Sequence, residues 1–396
     1  MFPPSSGTLP VTDDDASSDA SVQHLVSVAR LAMARGDVGR ALDLYRAIAA
    51  IAPGDADAAG AIQRLEAAIQ TAASRLATMM GPFAIEHRFP APYIGFTGRP
   101  LAAHADGNRL TGERLDAWGF PNRALPDRNK PNDELRIFVI GDSTMFNGPN
   151  LAGTVPSLLE AHLRETGLPR ARVYNFSIVS ASATQMTLLL LLRLGAYAPD
   201  LVIVCSGAVD LIAARDFDPR PGYPYNFFLL EQLHLHFFGP DAVPALDRDQ
   251  LFTRAAAYQI QLRAETGWPG PEWEAEVVDA YLASVATLER VTDAHALDTI
   301  LVLEPMVATR KRPTDEEIAY LKPETFAYYE RQYARLRAGL FGAPQPRRRL
   351  TVHDGSIAFA DADGAVFRDY IHFNPEGTRL MVAFLARLVR ERLGVA

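Results

Sequence analysis

The sequence predicts an α/β protein built on a parallel sheet covered by helices on both faces. Two observations carry that prediction. From Leu135 onward, short runs of apolar residues recur without the polar alternation of a sheet that has one wet face: LRIFVI (135 to 140), ARVYNF (171 to 176), LVIVCS (201 to 206), TILVLE (299 to 304) and, more weakly, RLTVHD (349 to 354). Strands buried on both sides read as such runs. The segments between them are long enough for crossover helices, with helical patterns near 154 to 166, 184 to 196, 272 to 294 and 323 to 340, and a last helix from Pro375 to Leu393. Parallel neighbours require such crossovers.

The chain opens less regularly. Residues 1 to 20 are rich in Ser, Asp and Pro with few large apolar groups, a composition that does not repay the entropy of ordering, so a disordered lead is expected. From 21 to 80 the pattern turns helical: Leu25, Val28, Ala29 and Ala32 share one face, Gly36-Asp37 breaks the run, and Ala41, Leu44, Tyr45 and Ile48 line a second helix that ends at Ala52-Pro53-Gly54. This stretch resembles about one and a half tetratricopeptide repeats, with small Ala29 and Ala41 where two helices would touch and Tyr45 at the aromatic position. The resemblance implies a hairpin that leans on the rest of the chain or on a protein partner, because such repeats need about three units to stand alone. Residues 81 to 133 are crowded with Pro, Gly and Asn and read as an irregular connecting segment, of the kind that is functional or wraps another domain. Residues 134 to 396 then form the α/β domain.

Composition excludes several roles. The formal net charge is −8 and the only dense basic run, Arg347 to Arg349, is short, so nucleic acid is not an expected partner. Cys205 is the only cysteine, which rules out an internal disulfide, and it lies mid-strand as core rather than nucleophile. The N-terminus has neither a basic n-region nor an apolar h-region, and the longest apolar run, Met186 to Leu192, is too short to span a bilayer; a cytoplasmic location is expected. His234 and His236 could share one side of a strand, but no third ligand is spaced nearby, and Asp361 to Gly364 reads as a turn, so no metal is expected. Neither a GxGxxG nor a GxxxxGK[ST] motif is present, so no cofactor is expected either.

The chemistry gathers at two distant places. The first strand of the α/β region runs into Gly141-Asp142-Ser143, which puts a hydroxyl just beyond a carboxyl edge, where open α/β sheets carry their sites. Near the other end, Asp369 and His372 stand three apart, immediately before the helix start Asn374-Pro375. An imidazole that is to take a proton from a serine needs a carboxylate to fix its tautomer, and one short turn can present both.

Taken together, a strand-terminal GDS, a second strand ending in Asn175-Phe176-Ser177, a third ending in Gly207-Ala208-Val209-Asp210 and a late DxxH before the final helix resemble the SGNH/GDSL hydrolase family over about 135 to 393. The resemblance implies a flavodoxin-like strand order in a three-layer α/β/α sandwich. It also implies a serine-dependent hydrolase of carboxylic esters, of O-acetyl or other short acyl groups on carbohydrate or a small molecule, working through an acyl-serine. Ser143 matches the nucleophile and, through its own N–H, one oxyanion donor; Asp369 and His372 match the acid and base. Ser177 falls where the second motif has glycine, whose backbone N–H is a donor, and Val209 where the third has asparagine. Val209 offers no donor, and losing one costs about 10² to 10³ in rate. Asn147 and Asn175 are the nearest amides in sequence that could substitute, although Asn147 and Asn150 also suit a turn. Two alternatives stay open at this point: an O-acyltransferase with the same triad, and a catalytically weakened scaffold on the same fold that docks through the helical hairpin.

Overall fold

In the computed structural model of the protein the described residues are 14–79, 89–98, 115–238, 248–342 and 347–395. They divide into two compact units, residues 1–80 with 228–268, and residues 81–227 with 269–396.

The first unit is helical. Asp14–Ala34, Val38–Ile51 and Ala56–Met79 follow one another, joined by Arg248–Glu265 from later in the chain. The Asp37 carboxylate caps the second helix by accepting the Arg40 N–H at 3.1 Å, and Ala29, Ala41 and Ile48 of the predicted faces are fully buried. Gly36 turns the chain with φ of 72°, and a Cβ there would meet the Ala264 side chain at 2.2 Å. The apolar core draws on Leu42, Leu65, Ile69, Phe252 and Ala255. Three points differ from the sequence reading. The first helix begins at Asp14, inside the stretch expected to lack order; residues 1–13 of that stretch lie outside the described residues. Residues 228–268, assigned from the sequence to the α/β domain, cluster with the N-terminal helices instead, so those helices draw apolar partners from later in the chain. His234 and His236 lie on a helix, Phe227–Phe238, rather than on a strand.

The second unit carries an antiparallel pair, β1 (Phe89–Ala91) and β2 (Gly95–Thr97), and a five-stranded parallel sheet: β3 (Leu135–Ile140), β4 (Ala171–Asn175), β5 (Leu201–Ser206), β6 (Thr299–Leu303) and β7 (Leu350–Asp354). The spatial order is β4-β3-β5-β6-β7, so the sheet reverses direction of growth at β3 and β5. This is the flavodoxin-like order, and ligand sites in such sheets lie at the carboxyl edge beside that reversal. Alternation along the strands sorts the core into two layers. Ile137, Val139, Ile203, Val302 and their neighbours pack under helices Val155–Glu165 and Pro375–Leu393. On the opposite face Phe138 meets Tyr174 and Phe176 edge-on at 5.8 and 4.8 Å, and helices Ala183–Leu189, Pro271–Ala294 and Pro323–Phe341 close that layer. The α/β three-layer prediction holds, and its five strands fall within a residue of the apolar runs. Cys205 is buried in β5, where burial pushes its thiol well up, in keeping with a core position. Among the described residues no helix is long and apolar enough to cross a membrane.

Candidate active site

Strand β3 delivers Ser143 to a short helical turn, Ser143–Phe146. Gly141 is required there for closeness: a Cβ would sit 2.7 Å from Met145 Cγ. Asp142 then folds its carboxylate over the turn and accepts the Thr144 N–H at 2.8 Å. Ser143 is left with 9% of its surface exposed.

The partner side chains arrive from the opposite end of the chain. His372 Nε2 lies 2.8 Å from Ser143 Oγ, and its Nδ1 lies 2.8 Å from Asp369 Oδ2. The other Asp369 oxygen accepts the backbone N–H of Ile371 at 3.0 Å and of His372 at 2.8 Å, so one carboxylate orients both ring and backbone. Burial alone would raise the Asp369 carboxyl; the hydrogen bond and charge of His372 and these two N–H groups outweigh it and hold it below the usual carboxylate range. A carboxylate that stays ionised accepts Nδ1–H, which leaves Nε2 bare and facing the hydroxyl.

The turn that bears Asp369 and His372 has its own brace, which sequence reasoning missed. Glu317 is fully buried and accepts the N–H groups of Val366 and Phe367 at 2.9 and 3.1 Å, while its second oxygen pairs with the buried Arg310 guanidinium. Arg310 also donates to the carbonyls of Ala362 and Gly364, at 2.7 and 3.0 Å. The turn at Asp361 to Gly364 is thereby tied to the segment that leads into Asp369 and His372.

The remaining predicted residues separate. The backbone N–H of Ser177 is already spent on Asn175 Oδ1 at 3.0 Å, so it does not match the free donor that the resemblance implies. Left-handed backbone, the conformation that favours glycine, falls three residues further on, at Ser180 with φ of 63°. Asn175 is no substitute donor either: its amide donates to the Met145 carbonyl at 2.8 Å, and Asn122 clamps its backbone, accepting its N–H at 2.7 Å and donating to its carbonyl at 2.9 Å. Asn175 thus ties the Ser143 turn to the segment after Leu115. Val209 is buried at the start of the short helix after β5, and the neighbouring Asp210, pushed up to about 7 chiefly by burial, accepts the Ala183 N–H. Asn150 is a turn former, its side chain accepting the Gly153 N–H at 2.8 Å. Asn147 remains. Its Oδ1 is buried without a donor, and it lines a cleft of about 680 Å³ together with His372, Thr144, Leu158, Arg368 and Phe373.

No protein-family model and no curated protein matches the chain. Solved structures similar to it include an acetyl xylan esterase (13% identity, TM-score 0.37, covering 64% of this chain and 99% of that one). Others are a carbohydrate esterase of family 3 from Talaromyces cellulolyticus (10% identity, TM-score 0.38, 66% and 100% covered) and a GDSL-like lipase from Bacteroides thetaiotaomicron (11%, 0.37, 66% and 91%).

Proposed function

We propose that the chain is a serine-dependent ester hydrolase with Ser143 as nucleophile, His372 as general base and acid, and Asp369 as the orienting carboxylate. The observation that supports this best is the unbroken run of contacts from Ser143 Oγ through both ring nitrogens of His372 to Asp369, each at 2.8 Å, with Ser143 and His372 229 positions apart in the chain. A contact of that length is ready for proton transfer without rearrangement.

The steps follow from the geometry. Ser143 Oγ attacks the ester carbonyl carbon as Nε2 takes its proton; the carbonyl π pair moves onto oxygen. Asp369 stabilises the imidazolium that forms. The tetrahedral intermediate collapses, the bond to the alkoxy oxygen breaks, and Nε2–H protonates the departing alcohol. Water then attacks the acyl-serine with the same base and acid in reverse, releasing the acid and restoring the hydroxyl. A carbohydrate hydroxyl in place of that water would give transfer instead of hydrolysis through the same machinery. Short acyl groups on carbohydrate are the substrate class we favour, in keeping with a cleft that sets Thr144, Asn147 and Arg368 among apolar walls.

For the oxyanion, the backbone N–H of Ser143 and the side-chain amide N–H of Asn147, which lines the cleft beside His372, are the donors we assign, replacing Ser177 and the missing third-motif amide at Val209. Asn147→Ala is expected to lower kcat for an acetyl ester by about 10² with little change in KM; an unchanged kcat removes Asn147 from the mechanism. A fluorophosphonate probe tests the whole reading. Wild type should be labelled and Ser143→Ala should not, whereas labelling of neither would favour the scaffold alternative.

A further inference from the structure

Behind the nucleophile turn lies a second pair of carboxyls that the proposed chemistry does not use. Glu304 follows β6 and is fully buried, with its backbone held at both ends: its N–H donates to the Ser206 carbonyl at 2.9 Å and its carbonyl accepts the Tyr333 hydroxyl at 2.6 Å. Its Oε1 accepts the Thr144 hydroxyl at 2.5 Å, while Asp142, also fully buried, accepts the Thr144 N–H. Both carboxyls therefore grip the residue next to Ser143. The second oxygen of each, Asp142 Oδ2 and Glu304 Oε2, is buried with no hydrogen-bond partner, and the two carboxyls converge on Thr144 from the ends of two different strands.

Two carboxylate oxygens cannot bond each other unless a proton lies between them, and a dry interior does not tolerate two like charges so close. The groups that face Glu304 do not relieve this: Asp142 after β3, Asp210 after β5, Cys205 on β5, Tyr281 on helix Pro271–Ala294 and Tyr333 on helix Pro323–Phe341 include no cation. We propose that Asp142 and Glu304 share one buried proton, Glu304 Oε2–H donating to Asp142 Oδ2, and that this pair is a positioning device holding Thr144, and through it Ser143, in register with His372. In keeping with this, burial first, then the charge of Asp142 and its hydrogen bond, push the Glu304 carboxyl well above the usual carboxylate range. Loss of the proton would drive the two side chains apart across Thr144 and carry Ser143 away from the imidazole. The positioning half rests on the ester-hydrolase reading; the shared proton does not.

The sign of the pH effect follows. A folded-state pKa raised above the unfolded value gives stability that is whole below the unfolded pKa and is lost as pH rises toward the folded one. Glutamine at 304 mimics the protonated acid, accepting from Thr144 and donating to Asp142, and does not titrate. Chemical denaturation of the full chain at rising pH above the ordinary glutamate value should therefore show the ratio of folding equilibrium constants, wild type over Glu304→Gln, falling with a limiting slope of about tenfold per pH unit. A ratio independent of pH means Glu304 is ionised in the folded protein and overturns the proposal, whether or not the chain hydrolyses esters. In kinetics at pH 7, Glu304→Gln should keep kcat within about threefold while Glu304→Ala loses about 10²-fold with KM little changed. Should the glutamine variant be as slow as the alanine one, the positioning role is wrong even if the proton is shared; the pH titration stands alone if Glu304→Ala fails to fold.

Discussion

Replacement of Ser143 by alanine is expected to lower kcat for a short acyl ester by about 10⁴- to 10⁶-fold with the fold intact, and His372→Ala should cost about as much. The reason is that the two groups make one bond together: without the hydroxyl there is nothing for Nε2 to deprotonate, and without Nε2 the hydroxyl stays a poor nucleophile. The double variant should then be no slower than either single one, and additive losses would show that the groups act separately. Asp369→Asn is the informative third member. Its carboxyl lies below the usual carboxylate range, so the ionised form persists through the neutral region and is lost only as pH falls past that range. An asparagine amide in its place would donate to Nδ1, force the other tautomer and turn an N–H toward Ser143 Oγ, for a loss of about 10⁴. Circular dichroism of each variant, alongside initial rates on an acetyl ester, separates a lost reaction from a lost fold.

How much of this was legible in the sequence depended on whether the determining interaction was local. The strands announced themselves because β3, β5 and β6 are covered on both faces, so each wrote an apolar run from end to end; the last helix did so through Asn374, whose side chain accepts the Gly377 N–H. Asp369 and His372 could be paired because they sit three apart on one turn. The second motif was misread for a conformational reason. A glycine in left-handed backbone is visible as a letter, but Ser180 adopts that conformation without one, and the resemblance pointed to Ser177, whose N–H turns inward to Asn175. Charged residues show the same limit more sharply. In ATRKRPTDEE the spacing from Thr314 to Glu317 marks a capping box, but nothing local distinguishes Arg310 from Arg312 or shows that Glu317 is buried against it: Arg312 and its partner Asp363 are 56% and 83% exposed while the side chains of Arg310 and Glu317 are 1% and 0% exposed. The assignment of 228–268 to the helical unit was equally hidden, since its apolar partners come from residues before Met80.

That contrast makes Arg310→Met the most damaging substitution expected outside the site itself. Arg310 neutralises Glu317, and burial alone would raise that carboxyl; the N–H groups of Thr314, Val366 and Phe367 together with Arg310 bring it below the usual carboxylate range. Removing the guanidinium leaves a buried charge with its cation gone and frees the carbonyls of Ala362 and Gly364, for a cost of about 3 to 5 kcal/mol. Arg312→Met, at an exposed pair, should cost no more than about 0.5 kcal/mol and serves as the control. Because Val366 accepts the Asn374 N–H and Arg368 donates to the His372 carbonyl, loosening the strand that Glu317 holds also loosens the imidazole, so the folded fraction of Arg310→Met should show a lower kcat as well. Adding Glu317→Leu should recover part of the stability, since no charge is then left buried, but not the activity, because the N–H groups of Val366 and Phe367 would have lost their acceptor. Equal stability of Arg310→Met and Arg312→Met in denaturant titrations would show that the pair is not the brace of the Asp369 turn.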